Sequence, residues 1–203
     1  MMHLRTPWSK FFFYTPKQLG FISHTPFVFK WCFFMYHDIR MKELTILVVE
    51  DSDAMMEIMV TILTRFGFGR ILTAQNGEEG FSLFQRYKPD MIITDWHMEP
   101  VDGIELIKWI RRNKYSVRRM VPIILMTGFT EHTRIESARD IGTTEILVKP
   151  FKAEDLAKRI MHMIDVPRDF IETQQFFGPD RRRRKVDDID GEDRRKLNPE
   201  VTS

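Results

Sequence analysis

Four short apolar runs of this sequence each end in polar side chains that could do chemistry together. These side chains are, in chain order, Glu50 and Asp51, then Asp95, Thr127 and Lys149. Three carboxylates repel one another when they are close, and a divalent cation such as Mg²⁺, which prefers hard oxygen ligands, would neutralise them. A metal beside a lysine and a hydroxyl suits phosphoryl transfer, a reaction that depends mainly on positioning and on neutralisation of charge.

Each of these residues also has a structural explanation that involves no ligand. An acid after a strand often caps the next helix, and Asp51 or Asp53 could do so here. Thr127 could simply end a strand, and Lys149 could be a solvated lysine. Because the polar residues occur together at corresponding positions after several apolar runs, a shared site explains them better than separate coincidences do.

The pattern of the surrounding residues predicts how these side chains are brought together. Runs that suit buried strands occupy residues 44–49, 70–74, 91–94, 122–127 and 145–148, and apolar residues recur at helical spacing between them. Strict alternation of five such units predicts an α/β fold, a doubly wound parallel sheet with helices on both faces. Right-handed crossovers then place every strand's carboxyl end on one edge, where open α/β sheets bind their ligands.

Composition narrows the class of protein. The chain has 203 residues, of which 43% are hydrophobic and 30% are charged, which is enough for one packed domain with extensions. The net charge of +2 shows no global bias toward nucleic acid, and the single cysteine, Cys32, excludes an internal disulfide framework and fits a reducing cytoplasm. No uncharged apolar run reaches the ~18–20 residues of a transmembrane helix, so we expect no membrane span.

Three regions differ in character and define the predicted domains. Residues 41–165 carry the alternating pattern, whereas residues 1–40 form an irregular, aromatic-rich extension. We expect this extension to lie outside the fold and to come from an overlong gene prediction whose natural start is Met41; a membrane-surface anchor and a contribution to the core are the alternatives. Residues 166–203 form a polar tail of mixed charge that we expect to be mostly disordered, with Arg168–Phe177 either extending the last helix or packing back on the domain.

Four motifs follow the first, third, fourth and fifth predicted strands, namely VVED, TDWHMEPVDG, LMTG and LVKPF. In this order and at this spacing they resemble the receiver domain of response regulators in bacterial two-component systems, of a stand-alone type similar to the chemotaxis regulator. The resemblance covers Leu44–Ile164. It implies a flavodoxin-like receiver fold whose five parallel strands have the order 2-1-3-4-5.

The resemblance also implies a role for each residue at the strand ends. Asp95 would be the phospho-acceptor for a phosphoryl group from a sensor histidine kinase or a histidine phosphotransfer protein. Thr127 and Lys149 would bind the phosphoryl oxygens, and the Lys149-Pro150 peptide bond would be cis. The Mg²⁺ ligands would be the carboxylates of Glu50, Asp51 and Asp95 and the backbone carbonyl of His97.

Three features distinguish this chain within the resemblance. Ile146 stands where the family usually has tyrosine, phenylalanine or histidine as a switch, so the coupling of Thr127 to the neighbouring face would differ or use side-chain packing. Pro100 is displaced by one position, which places an additional carboxylate, Glu99, near the site, where it either alters metal affinity or faces solvent. Phe129 is bulky, and we expect it to shield the phosphoryl group and to prolong the life of the phosphoaspartate.

Other functions explain less of the sequence. The basic run Arg181–Lys185 could neutralise nucleic-acid phosphates, but acidic residues surround it. The DSD sequence at residues 51–53 resembles the D-x-D motif of haloacid-dehalogenase-type phosphatases, an interpretation that leaves Asp95 unexplained. A flavodoxin-like electron carrier needs a phosphate loop after the first strand, where Glu50 and Asp51 would repel a phosphate.

The length of the chain after the last predicted helix bears on the output of the module. Only 38 residues follow it, too few and too polar for a winged-helix or catalytic domain. We therefore expect the signal to pass to an unknown downstream protein by contact or by onward phosphotransfer. We expect no enzymatic activity beyond the domain's own phosphorylation and dephosphorylation.

Overall fold

The fold is built from short strands that alternate with helices, as the sequence pattern predicts. The computed structural model describes residues 2–4, 41–112, 118–128, 136, 138–173 and 176–180. In chain order the elements are β1 (Met2–Leu4), β2 (Thr45–Val49), α1 (Asp53–Arg65), β3 (Arg70–Ala74), α2 (Gly77–Tyr87), β4 (Met91–Asp95), α3 (Gly103–Arg112), β5 (Ile123–Thr127), β6 (Glu145–Val148), α4 (Ala153–Asp165), β7 (Phe170–Glu172) and β8 (Phe177–Pro179). Residues 136 and 138–140 are also helical, where the sequence predicts a helix before β6. None of the helices in the described ranges has the length and apolar character that crossing a membrane requires.

The central sheet has five parallel strands in the order β3-β2-β4-β5-β6. Counted from the first strand of the domain this is 2-1-3-4-5, so the predicted topology is confirmed. Every residue of β4 and β5 is buried, because helices cover their apolar side chains on both faces of the sheet. The strand order reverses between β2 and β4, and the carboxyl ends of these two strands frame the crevice in which such folds bind ligands.

Alternate residues of each strand divide the core into two layers. Ile46 and Val48 of β2 pack on one face of the sheet with α1 and α4, whereas Leu47 and Val49 pack on the other face with α2 and α3. The buried helix residues are Met59 and Leu63 of α1, Phe84 of α2, Leu106, Ile107 and Ile110 of α3, and Leu156 and Ile160 of α4. The helices on the two faces therefore hold the strands in register, and the loops at the carboxyl edge start from a rigid base.

Side-chain caps determine where the helices begin after the strands. The Ser52 hydroxyl accepts a hydrogen bond from the backbone N–H of the third residue of α1 and caps that helix. The sequence suggested Asp51 or Asp53 as the cap, and neither holds that position, because Asp53 is already the first helical residue. Asn76 caps α2 in the same way as Ser52 caps α1. Asp51 is left in the turn between β2 and α1, at the carboxyl edge of the sheet.

A second, antiparallel sheet lies at the amino ends of β5 and β6 and is built from residues outside the predicted domain 41–165, with β1 from the extension that was expected to lie outside the fold. Its strand order is β1-β7-β8. The described part of Arg168–Phe177 thus packs back on the domain instead of extending α4, because Phe170 and Ile171 are buried at this end of the sheet. The averaged polarity of residues 166–203 concealed this short apolar stretch. Residues 5–40 and 181–203 lie outside the described residues, so the predictions of irregularity and disorder for them stay predictions.

The β7–β8 hairpin is held by an arginine and by a close glycine contact. The Arg119 guanidinium carbon lies 3.8 Å from the centre of the Phe177 ring, and one of its nitrogens lies 2.8 Å from the Glu172 carboxylate. A Cβ built on Gly178 would lie 2.8 Å from the Cα of Gly142, so a larger residue at position 178 would push the hairpin away. The hairpin is therefore packed against the domain by specific contacts.

Candidate functional site

Three carboxylates meet at the carboxyl ends of β2 and β4. One oxygen from each of Glu50, Asp51 and Asp95 lies within 4.8 Å of the other two. Glu50 and Asp95 are buried, with 2% and 8% of their surface exposed, whereas Asp51 is exposed. The structure thus brings together the three acids that the sequence places at strand ends, and it leaves one of them open to solvent.

Lys149 bridges two of these carboxylates from the end of β6. Its Nζ lies 2.8 Å from Asp95 Oδ1 and donates a hydrogen bond of 2.9 Å to Glu50 Oε2. Its backbone N–H donates to the Thr127 carbonyl at 2.7 Å, which fixes the position of the side chain relative to β5. The peptide bond that follows, Lys149-Pro150, is cis, as the resemblance implied.

Burial and neighbouring charges set the protonation of this site. Burial raises the pKa of Glu50 above its usual value; the hydrogen bond from Lys149 opposes this shift and the charge of Asp95 adds to it. Burial alone would lower the pKa of Lys149, but its hydrogen bonds to Asp95 and Glu50 outweigh burial and raise it. Lys149 is therefore a firmly protonated cation that contacts more than one acid. The acids of the site outnumber this single cation, so a second cation would bring the site closer to neutrality.

The loop after β4 folds back closely on the main chain at Asp95. The Gly103 N–H donates to the Trp96 carbonyl at 3.0 Å. A Cβ built on Gly103 would lie only 2.0 Å from the Asp95 carbonyl oxygen, so glycine is required at this position by the close approach of the two chains. The Thr94 hydroxyl donates to the same carbonyl at 3.0 Å. Asp95 thus projects from a backbone that is held on both sides.

The residues between Asp95 and α3 alternate between buried and exposed positions. Met98 is buried and packs in the core layer beneath α2 and α3, whereas His97 and Glu99 on either side of it are exposed. The displaced Pro100 follows a second cis peptide bond, Glu99-Pro100. Glu99 is exposed, as is the cluster acid Asp51, so both alternatives for its carboxylate stay predictions.

Thr127 and Ile146 lie on the strands beyond Asp95. Thr127 is buried at the end of β5, one residue past Met126, which is the partner of Asp95 across the sheet. Ile146 is half-buried in the edge strand β6 opposite Leu125, against the core layer of α2 and α3. The predictions for Phe129 and for the basic run Arg181–Lys185 fall outside the described residues.

One polar contact at this edge of the sheet was missed by the sequence analysis. β3 ends without an acid, a hydroxyl or a lysine, and no role followed from its end. In the structure Gln75, the residue directly after β3, donates from Nε2 to Asp53 Oδ1 at 3.0 Å. The only signal in the sequence was its position after a strand, since glutamine at a strand end indicates no particular chemistry.

The three-carboxylate cluster has the donor set of a magnesium site. Within the described ranges it is the one group of three or more side chains placed to hold a metal ion. Its ligand atoms are hard carboxylate oxygens, which suit Mg²⁺ and do not suit metals that prefer thiolate or imidazole. A cation of this kind would also relieve the repulsion that the Lys149 ammonium leaves uncompensated.

Comparison with known proteins finds similar sequences and similar solved structures. A chemotaxis protein CheY homologue of Campylobacter jejuni is 33% identical over 116 residues, which cover 57% of this chain and 88% of that protein. The structure of the chemotaxis response regulator CheY4 of Vibrio cholerae matches with a TM-score of 0.55 at 29% identity, over 59% of this chain and 97% of that one. The receiver domain of a sensor histidine kinase of Pseudomonas aeruginosa, solved with a magnesium ion coordinated in its active site cleft, matches with a TM-score of 0.53 at 27% identity, over 60% of this chain and 97% of that one.

A family model spans the same part of the chain. The model of the response regulator receiver domain matches residues 46–161, which contain the acids after β2 and β4, the threonine that ends β5 and the lysine after β6. The match ends before the β7–β8 hairpin, which lies outside the matched residues. With more than half of its length matched by this model, the chain belongs to the response regulator receiver family, the signalling domains of two-component systems.

Proposed function

We propose that this chain is a stand-alone response regulator that accepts a phosphoryl group on Asp95 from a histidine of a sensor kinase or of a phosphotransfer protein. The observation that carries the proposal is the placement of Asp95 between two acids and a lysine, with Lys149 Nζ 2.8 Å from its Oδ1. A buried aspartate held in this way is a positioned nucleophile, whereas an ordinary surface aspartate would be solvated and mobile.

The transfer step replaces one bond to phosphorus by another. A carboxylate oxygen of Asp95 forms a bond to phosphorus while the P–N bond of the phosphohistidine breaks, and the leaving imidazole nitrogen takes up a proton from solvent. Lys149 neutralises charge on the phosphoryl oxygens, and the Thr127 hydroxyl donates a hydrogen bond to one of them. Asp95 therefore gains an acyl phosphate, and the donor histidine returns to its neutral form.

Receiver domains bind Mg²⁺ at an acidic site, and we assign that role here to the cluster after β2 and β4. The residues that would hold the ion are Glu50, Asp51 and Asp95, together with the backbone carbonyl of His97. When bound, the ion supplies positive charge that lets an anionic phosphoryl group approach three carboxylates. The exposure of Asp51 leaves the cluster accessible from solvent, which suits an ion that keeps several of its waters.

Signal output in this proposal uses protein contacts. Ile146 has no ring to rotate, so we assign the coupling between Thr127 and the β6 edge to side-chain packing. Phosphorylation would act through an unknown downstream protein or through onward phosphotransfer, with no catalytic activity beyond the chain's own phosphorylation and dephosphorylation. Direct binding of nucleic acid by Arg181–Lys185 is the weaker candidate because of the surrounding acids. We place the function in residues 41–165 and expect it to operate in the cytoplasm.

Phosphorylation by a small donor tests the proposal directly. The full chain is incubated with Mg²⁺ and acetyl phosphate, and its intact mass is measured with and without hydroxylamine. We expect wild type to gain the mass of one phosphoryl group, removable by hydroxylamine, and Asp95→Asn to gain none. Glu57→Gln, an exposed acid on α1 outside the cluster, is the matched control and should behave as wild type.

Two results would contradict the proposal. Absence of the mass increment on wild type would mean that the chain does not accept a phosphoryl group from acetyl phosphate. An equal increment on Asp95→Asn would place the acceptor elsewhere in the chain.

The lifetime of the phosphorylated form then tests the expectation for Phe129. We expect Phe129→Ala to lose its phosphoryl group faster than wild type, and an unchanged rate of loss would contradict shielding by the ring.

A further inference from the structure

The end of β3 contributes to the edge of the site through a hydrogen bond rather than through a charge. Gln75 Nε2 donates to Asp53 Oδ1 at 3.0 Å, and the two residues are 22 positions apart in the chain. Asp53 is the first residue of α1 and lies two residues after Asp51, the exposed acid of the cluster. The contact therefore ties the turn that carries Asp51 to the loop after β3.

The backbone from which Gln75 projects is held at several points. The Gln75 N–H donates to Glu79 Oε2 at 2.9 Å, and the next residue, Asn76, caps α2. The Gly77 N–H donates to the Val101 carbonyl at 2.9 Å, which joins this turn to the loop after β4. These contacts fix the backbone of Gln75, and its exposed side chain is placed by the hydrogen bond to the Asp53 carboxylate, which is also exposed.

Asp53 is a fourth acid close in sequence to the cluster but separate from it. Its carboxylate is not among the three whose oxygens lie within 4.8 Å of one another. In its observed position the carboxylate accepts from an amide and lies at the N-terminus of α1, where the helix dipole favours negative charge. Turned toward Asp51, the same carboxylate would add a fourth negative charge to a cluster of three acids, of which Lys149 contacts two.

We infer that Gln75 is a positioning residue: its amide holds the Asp53 carboxylate at the start of α1 and away from the cluster, so that an anionic phosphoryl donor meets three acids instead of four. The inference rests on the proposed phosphoryl acceptance by Asp95. It gives a function to a strand end that otherwise has none, and it explains how an acid so near the metal ligands is kept out of their charge balance. It also predicts that a single substitution at Gln75 has opposite effects on the binding of Mg²⁺ and on the reaction with the phosphoryl donor.

Gln75→Leu is the primary test, because leucine has a similar size and cannot donate a hydrogen bond. We expect phosphorylation by acetyl phosphate to slow about threefold, the scale of an exposed charge interaction. We also expect Mg²⁺ to bind the unphosphorylated variant about twofold more tightly, since a fourth acid attracts the cation. Mg²⁺ binding is followed by tryptophan fluorescence, to which Trp96, next to Asp95, contributes. A merely structural loosening of the turn would weaken both processes, so the opposite signs identify the positioning role.

Substitutions at Asp53 complete the test. Asp53→Asn removes the charge and keeps an acceptor for Gln75, and we expect it to be phosphorylated at least as fast as wild type. In the Asp53→Asn background, Gln75→Leu should then have no effect on the rate. Asp53→Ala breaks the same hydrogen bond without leaving a mobile charge, so it should retain the wild-type rate, and circular dichroism confirms that each variant is folded.

Three outcomes have distinct meanings. If Gln75→Leu matches wild type in both phosphorylation and Mg²⁺ binding, the inference is overturned. If Gln75→Leu and Asp53→Ala slow the reaction equally and both weaken Mg²⁺ binding, the contact is a structural tie and the inference is again overturned. If wild type itself gains no phosphoryl group, the proposed function fails, and the Mg²⁺ titrations still decide whether Gln75 controls the Asp53 charge.

Discussion

The two ends of the central sheet both gather charged side chains, and they balance those charges differently. At the carboxyl end, the rim cluster of Glu50, Asp51, Asp95 and Lys149 sets three acids against one ammonium group. At the amino end, the buried Glu145 carboxylate lies 2.9 Å from Arg159 and 2.8 Å from Arg168, so each of its two oxygens is paired with an arginine. Unmatched charge is costly to a folded protein unless a ligand completes it. The comparison assigns ligand binding to the rim cluster and attachment of the hairpin to the amino end.

Arg111 shows how the amino end uses a cation for structure. It is buried at the end of α3, where its Nε donates to the Gly142 carbonyl at 2.9 Å and its Nη1 donates to the Arg119 carbonyl. Its guanidinium carbon lies 5.2 Å from the centre of the Phe170 ring. Burial lowers the pKa of Arg111 to about 9, which still leaves the group protonated at pH 7. The cation therefore joins α3, the loop before β6 and the hairpin without facing solvent.

The largest effect that separates the two ends is expected from Phe170→Ala. Phe170 is buried, 2% exposed, and its ring packs 5.6 Å from that of Phe177. Removing such a ring costs about 3 kcal/mol of unfolding free energy through lost burial and the cavity that remains. Below the unfolding transition, phosphorylation by acetyl phosphate should stay within about twofold of wild type, as for a surface change of no consequence to the site. Urea denaturation measures the loss of stability, and the rate of phosphorylation by acetyl phosphate measures the effect on the site. A phosphorylation rate that fell along with stability would show that the two ends of the sheet are not independent.

Arg111→Met should have the next largest effect. Methionine keeps much of the apolar volume but leaves the carbonyls of Gly142 and Arg119 without their donor, so we expect a loss of about 2 kcal/mol. Urea denaturation measures the loss, and equal or greater stability would show that the guanidinium serves something other than attachment of the hairpin.

Glu145→Gln should destabilise the protein less, by about 1 kcal/mol, because Arg159 is partly exposed and can turn toward solvent once the charge is removed. The amide still offers one oxygen to the arginines, which limits the loss. The effect should shrink at high salt only slightly, since Glu145 is buried. Denaturation at low and high ionic strength checks this, and a loss abolished by salt would mean that the pairs behave as ordinary surface ion pairs.

Glu50→Gln is expected to have the smallest effect, and the opposite sign. The pKa of Glu50 is raised on folding, mainly by burial, so stability contributed by the neutral acid is present below its unfolded pKa and is lost as the pH rises through the folded value. Without Mg²⁺, the glutamine variant should therefore be slightly more stable than wild type at pH 7, and the difference should vanish in acid. Thermal denaturation from pH 4 to pH 8 in the presence of a chelator measures it. Destabilisation at pH 7 would mean that the rim cluster contributes to stability as the amino end does.

Much of the fold was predictable because its signals are local. Each strand of the central sheet is a short apolar run, and each candidate residue of the rim lies directly after one, so a parallel sheet brings them together. The prediction of Asp51 or Asp53 as the N-cap of α1 was wrong because serine and aspartate are both good caps. The residue at which the helix begins decides which of them is the cap, and here it is Ser52. Packing of Arg168–Phe177 on the domain was one of two predicted alternatives, but the strands of the hairpin were not predicted, because the composition of residues 166–203 is dominated by charges.

The sequence by itself determined the order of strands and helices and the set of acids, hydroxyl and lysine at one edge. Only the tertiary structure decided which distant side chains meet elsewhere. Gln75 and Asp53 are 22 residues apart, and Arg119 and Glu172 are 53 residues apart. Such contacts have no periodic signature, because they depend on shape and charge complementarity between elements that meet only after the sheet has formed. The local pattern therefore specifies the rim cluster, and packing specifies what surrounds it and what is attached at the opposite end.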